Sequence, residues 1–129
     1  MIPITAFYAA VLALILIALG VQVGRARLAT GISILHGDDM ELATQIRRHA
    51  NFTENVPMAL VLLAALELNG AGPGLLHGLG VALVLCRIAH PFGLRHDDMR
   101  QPLRGIGAGG TTLVIGIAAL VLLWRFATG

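Results

Sequence analysis

Residues 6–24, AFYAAVLALILIALGVQVG, contain no charged side chain and are followed at once by Arg25 and Arg27. A hydrocarbon layer ~30 Å thick is crossed by roughly 20 apolar residues in helical form, because a helix satisfies its own backbone hydrogen bonds where no water is available. This run is long enough to span. A cleaved signal peptide is the competing reading, but no basic segment precedes the run and its apolar stretch exceeds the usual length, so it is expected to stay as a first helix.

The rest of the chain repeats the pattern. Of its 129 residues 57% are hydrophobic and 12% charged, against about half and a quarter in soluble domains. The sequence predicts an all-α integral membrane four-helix bundle in a single domain, residues 1–129, with spans at about 5–25, 47–68, 74–92 and 104–125. Gly37-Asp38-Asp39 reads as a turn in which Asp39 or Asp38 caps a helix starting near Met40. That second helix enters the membrane with a polar first half, and Asn69-Gly70-Ala71-Gly72-Pro73-Gly74 ends it. The third helix closes at His90-Pro91 or continues, kinked, through Leu94. Trp124-Arg125 reads as an interfacial anchor.

All nine cationic side chains are arginines, and seven lie in or near the loops after the first and third helices: Arg25, Arg27, Arg47, Arg48, Arg95, Arg100 and Arg104. The loop between helices two and three holds none. This distribution fits a membrane edge better than a nucleic-acid groove, despite a pI near 9.5. By the positive-inside rule the arginine-rich loops face the cytoplasm and both termini are non-cytoplasmic. A lone cysteine, Cys86, excludes an internal disulfide, and His36, His49 and His96, read as solvated, lack the cysteine or second carboxylate that a zinc site needs, so no metal is expected. His77 is expected at the interface, and Cys86 in a packed position.

Polar side chains at membrane depth carry the functional information. Arg47, Asn51 and Glu54, at i, i+4 and i+7, share one face of the second helix; Arg87 and His90 share a face of the third; Arg104 opens the fourth. A charge at a helix centre costs about +2.5 to +3.5 kcal/mol against roughly −0.3 to −0.6 for Leu or Ile; Glu54 and Arg87 lie nearer the cytoplasmic end, where the cost is smaller, and both are still expected to point inward and find partners. One reading makes them bundle staples, with Glu54 on Arg87 or Arg47, Asn51 bonding across helices and His90 capping the third helix. Arg25 and Arg27 are the usual kind of edge residue with its charged tip in water. Pro57 frees the carbonyl of Thr53 and is expected to bend the second helix and open a cavity. The spacings Gly20-xxx-Gly24, Gly74-xxx-Gly78 and Gly105-xxx-Gly109 would permit close helix approach.

The stretch RRHANFTENVP, then CRIAHPFGL one helix later, then an arginine opening the fourth helix, resembles the MAPEG proteins, the membrane-associated proteins of eicosanoid and glutathione metabolism. The likeness covers essentially the whole chain and is close to the bacterial members. The resemblance implies a homotrimer in a bacterial inner membrane, with glutathione as co-substrate between subunits near the cytoplasmic face. Arg25, Arg47, Asn51, Glu54, Arg87 and His90 stand where the family holds the tripeptide, and Arg104 is the candidate to activate its thiol. Many members carry a tyrosine just after the third helix; this chain has Phe92, Gly93 and Leu94 there, and its single tyrosine is Tyr8.

Three functions compete. A glutathione-dependent transferase or peroxidase would act on lipophilic electrophiles arriving through the membrane lipid. A non-catalytic lipid-binding scaffold, resembling the family's lipoxygenase-activating protein, would use the same groove without chemistry. A small multidrug transporter would need a carboxylate in the first helix, which is absent. The arginine count makes one prediction independent of family: a reporter fused after Gly129 is expected to be non-cytoplasmic and one inserted near Asp98 cytoplasmic, and the reverse pattern would overturn the assignment.

Overall fold

The computed structural model describes residues 1–129 as four helices and no strand. They are α1 (Pro3–Thr30), α2 (Met40–Leu68), α3 (Pro73–Gly93) and α4 (Pro102–Thr128). Each of α1, α3 and α4 starts with a proline in its first turn, where the missing N–H removes a donor that would have no helical partner. α2 instead starts on Asp39, whose carboxylate accepts from Leu42 N at 2.8 Å, so the expected cap forms and Asp39 is the one that makes it. α1 stops at Gly31, which takes a left-handed φ of 71° and returns its N–H to Arg27 O.

Helices α1, α3 and α4 are long and apolar enough to cross a membrane. α2 has 29 residues but falls short in apolarity, because Arg47, Arg48, Asn51 and Glu54 occupy its first half. The hydropathy argument for four spans therefore holds for three helices, and α2 is carried by its neighbours. Glu67, near the end of α2, accepts from Ile4 N (2.9 Å) and Thr5 N (2.7 Å) at the start of α1. Tyr8 Oη lies 3.0 Å from His77 Nδ1 at the start of α3, and Arg125 at the end of α4 donates to Asn69 O at 2.7 Å. Both chain termini thus share one end of the bundle with the α2–α3 turn, and the two arginine-rich loops share the other. A chain that leaves α1 at one end and begins α3 at the other must return along α2.

α1 packs on α2 and α3, α4 packs on α3 and α2, and α1 does not touch α4. α2 and α3 are therefore the middle pair of a rhomb. Leu63, Leu66, Leu76 and Leu83 fill the centre at 1% exposure or less. Only 24 of 129 residues are buried, and Leu14, Val61, Leu85, Leu113 and Leu120 lie open on the outside. Apolar exteriors of this kind suit lipid or another subunit.

Two expectations are refined. α3 continues through Pro91 to Gly93 rather than closing at His90. The glycine spacings do not set the helix contacts within the chain: a methyl added at Gly24, Gly74, Gly78, Gly105 or Gly109 would meet nothing, and Gly20 alone faces a neighbour, the His49 ring 3.8 Å away. His49 is thus half-buried, with its ring toward α1. The close approaches fall at Gly80 on the Tyr8 ring, Gly93 on the backbone of Arg104, Gly107 on the backbone of His90 and Gly110 on Cys86. Pro57 does border an apolar groove of about 230 Å³ between α1 and α2, lined by Leu12, Leu16, Phe52 and Leu60.

These contacts predict opposite outcomes at two α4 glycines. Gly107→Ala drives a methyl into the His90 backbone and is expected to destabilise the protein by about 1–3 kcal/mol. Gly116→Ala meets open space and is expected to be neutral or stabilising by up to about 1 kcal/mol, through helix propensity. Denaturant titration in detergent micelles distinguishes them.

Candidate functional site

The polar residues of α2, α3 and α4 gather at the arginine-rich end of the bundle. Positions 47 and 54 of α2 stand two turns apart on an outward face, and Arg47 reaches along the helix to hold Glu54 with both terminal nitrogens, at 2.9 and 2.7 Å. This is a bidentate guanidinium–carboxylate pair, the strong geometry for such ions. Both side chains stay about half exposed, 54% and 52%. Of the two partners open to Glu54 by sequence, the fold selects Arg47.

Arg87 goes elsewhere. It is 1% exposed and donates from Nη1 to Asn51 Oδ1 on α2 at 2.9 Å and from Nη2 to Gly107 O on α4 at 2.7 Å. Its Nε is buried without a partner. Asn51 thus bonds across helices as expected. His90, one turn on, is 3% exposed, and its backbone rests on Gly107, so its side chain is a buried element of the α3–α4 contact and not a helix cap. The cap of α3 is made by backbone alone, Leu94 N donating to His90 O.

Arg104 is half buried in the first turn of α4, set beside the end of α3 because Gly93 has no side chain to keep the two backbones apart. It lines a cleft of about 490 Å³ together with Arg47, Leu35, Met40, Ile46, Ala50 and Leu94, with His36, Arg95 and His96 at its edge. The cleft pairs an apolar wall with two guanidiniums that belong to different helices. Arg95 holds Asp97 at 3.2 Å and keeps its carboxyl below the usual carboxylate range. Arg25 is exposed on α1, with no hydrogen bond or ion pair in the chain. Of the seven sequence-identified residues, bonds join Arg47 to Glu54 and Arg87 to Asn51, His90 packs beside Arg87, Arg104 shares the cleft with Arg47, and Arg25 stands apart.

Residues 5–124 match the MAPEG family. The chain belongs to the MAPEG family. Among curated MAPEG relatives, inner membrane protein YecN of Escherichia coli strain K12 is 32% identical over 116 residues, covering 90% of this chain and 88% of that protein. The YecN protein of E. coli O6:H1 matches to the same extent. No solved structure matches.

Sequence reasoning missed several residues that shape this MAPEG site. Arg48 donates Nε and Nη2 to Leu94 O at 3.1 and 2.8 Å, tying the end of α3 to α2. Adjacent helical residues point about 100° apart, so the Arg47-Arg48 doublet was the available sign that one faces the cleft and the other a neighbouring helix. Arg27, read as an edge residue, folds the α1–α2 loop by donating to Ile32 O and Leu35 O at 3.1 and 3.0 Å. Leu35, which it anchors, takes a left-handed φ of 55°. No pattern of residue types announces that contact. Tyr8 is at the far end of the bundle with His77, while the last turn of α3 carries an exposed Phe92 and the residue just after it, Leu94, is buried. Arg48→Ala is expected to raise amide hydrogen exchange across residues 92–97 by about tenfold or more, read by mass spectrometry, since the tie to Leu94 O is then lost.

Proposed function

We propose that this MAPEG protein is a membrane-embedded glutathione-dependent transferase or peroxidase acting on lipophilic electrophiles, assembled as a homotrimer. The observation that carries the proposal is the Arg47–Glu54 pair, left half exposed beside the cleft that Arg104 enters. Glutathione has two carboxylates and one ammonium. Guanidiniums suit the carboxylates through their planar fork, and a carboxylate suits the ammonium. Arg47, Arg104 and Glu54 supply that charge set at one end of the bundle, and the apolar wall of Leu35, Met40, Ile46 and Leu94 suits a lipophilic partner.

Assembly follows from the same pair. A charged pair half exposed on a helix within the bilayer is costly against lipid, and a neighbouring subunit would cover it. Arg25, unpaired in its own chain, is then free to reach a site shared with the next subunit. Native mass spectrometry from detergent is expected to give trimers, and monomers alone would remove this part of the proposal.

In the reaction, Arg104 stabilises the thiolate of bound glutathione, lowering its pKa from ~8.5 toward neutrality. The thiolate sulfur then bonds to the electrophilic carbon and the leaving group departs with its electron pair. The absence of a tyrosine after α3 favours a second reading, a non-catalytic lipid-binding scaffold.

Two variants separate these roles. Glu54→Gln is expected to weaken glutathione binding and loosen the trimer, because Arg47 loses its charged partner. Arg104→Leu is expected to raise the bound thiol's pKa and lower turnover with only a modest loss of affinity below that pKa. Thiolate absorbance across pH reads both: an unchanged titration in Arg104→Leu would remove Arg104 from the chemistry, and no thiolate in the wild type would favour the scaffold.

A further inference from the structure

The arginine of α3 is the most deeply buried charged group in the chain, and its commitments are internal. Of its five N–H donors, one is given to Asn51 Oδ1 and one to Gly107 O, and Nε is enclosed among protein atoms. Gly107 O also accepts Thr111 Oγ1 at 2.8 Å, so the carbonyl is held from its own helix as well. A side chain at 1% exposure, bridging α2 and α4 from α3, has little left to offer a ligand.

Its effect on Asn51 is different. An arginine can only donate, so the Asn51 atom facing it must be the carbonyl oxygen, whichever way the amide would otherwise turn. That assigns the amide rotamer chemically. The other end, Nδ2, makes no hydrogen bond in the chain and is not among the enclosed polar atoms, so it is accessible and unpartnered. Asn51 lies on the turn between Arg47 and Glu54, whose bidentate pair spans it. An N–H₂ donor therefore stands between a guanidinium and a carboxylate, on the face where the ligand is proposed to bind.

We infer that Arg87 is a positioning residue: by holding Asn51 Oδ1 it presents Asn51 Nδ2 to a hydrogen-bond acceptor of the ligand, a peptide carbonyl or carboxylate oxygen. The inference rests on the glutathione reading above for its ligand, and it moves Arg87 from contact with glutathione to control of the residue that makes contact. Without the arginine the amide is free to turn, and half of its orientations present an oxygen to an oxygen.

The test uses the detergent-purified full chain with glutathione as probe. Asn51→Asp keeps the acceptor for Arg87 and loses the outward donor. It is expected to be folded and no less stable than wild type in thermal unfolding, yet to bind glutathione at least about tenfold more weakly. Arg87→Lys cannot span Asn51 and Gly107 as the planar fork does. It is expected to weaken binding by about tenfold in the wild-type background and by less than about twofold in an Asn51→Ala background, because the effect passes through Asn51. Equal weakening in both backgrounds overturns the inference in favour of direct contact or a general structural role. If the wild type binds no glutathione, the proposed function fails and the positioning role is read separately by NMR with ¹⁵N-asparagine labelling. The Asn51 Nδ2 protons are then expected to lie away from the position of a free asparagine amide in wild type and to move toward it in Arg87→Lys, and identical spectra overturn it.

Discussion

A guanidinium placed in the middle of a four-helix bundle must be satisfied there or exclude the fold. Arg87 meets this condition at its two terminal nitrogens, reaching α2 through Asn51 and α4 through Gly107 O, while its Nε stays without a partner. A hydrogen bond to a charged group typically contributes about 1.5–3 kcal/mol, so the three helices are coupled at this end by more than apolar packing. The condition also demands space. Gly107 admits the His90 backbone and Gly93 admits the first turn of α4, and those two approaches bring the α3 and α4 backbones close enough for the Arg87 bridge to form.

The opposite end of the bundle is closed by different chemistry. Glu67 accepts the first free N–H groups of α1, where a carboxylate also meets the positive end of the helix dipole. The Tyr8 ring packs against Gly80 with its hydroxyl on His77, and Arg125 donates to the carbonyl of Asn69 at the end of α2. These are contacts between chain segments more than fifty residues apart, and they clasp the termini end. The asymmetry between the ends has a functional sense. One end is tied shut by neutral and singly charged caps, while the other leaves a paired guanidinium and carboxylate open beside an apolar wall.

The two tyrosine questions are linked by the same geometry. The segment where many MAPEG members carry a tyrosine is held by Arg48 on Leu94 O and by Gly93 against Arg104, so position 94 points into the protein and position 92 points out. With a hydroxyl at neither place, the donors that line the cleft beside this segment are Arg95, His96 and Arg104. The cationic groups of the site are guanidiniums, set beside the Glu54 carboxylate and the Asn51 amide.

Membrane character, the approximate helix limits, the Asp39 cap and the family were all legible in the residues, because hydropathy and capping are summed over near neighbours and need no knowledge of the rest of the chain. The faces of α2 and α3 that carry Arg47, Asn51, Glu54, Arg87 and His90 were legible for the same reason, being set by helical periodicity. Partner choice was not. Whether Glu54 meets Arg47 or Arg87 depends on what else Arg87 can reach, and Arg87 is taken by Gly107 O across the α3–α4 contact that Gly93 and Gly107, glycines outside the three spacings that stand out in the sequence, make close. The burial of Arg87, the orientation it imposes on Asn51 and the isolation of Arg25 within its own chain likewise exist only once three helices are packed, since a side chain's cost and its available partners are properties of the space around it and not of its place in the sequence.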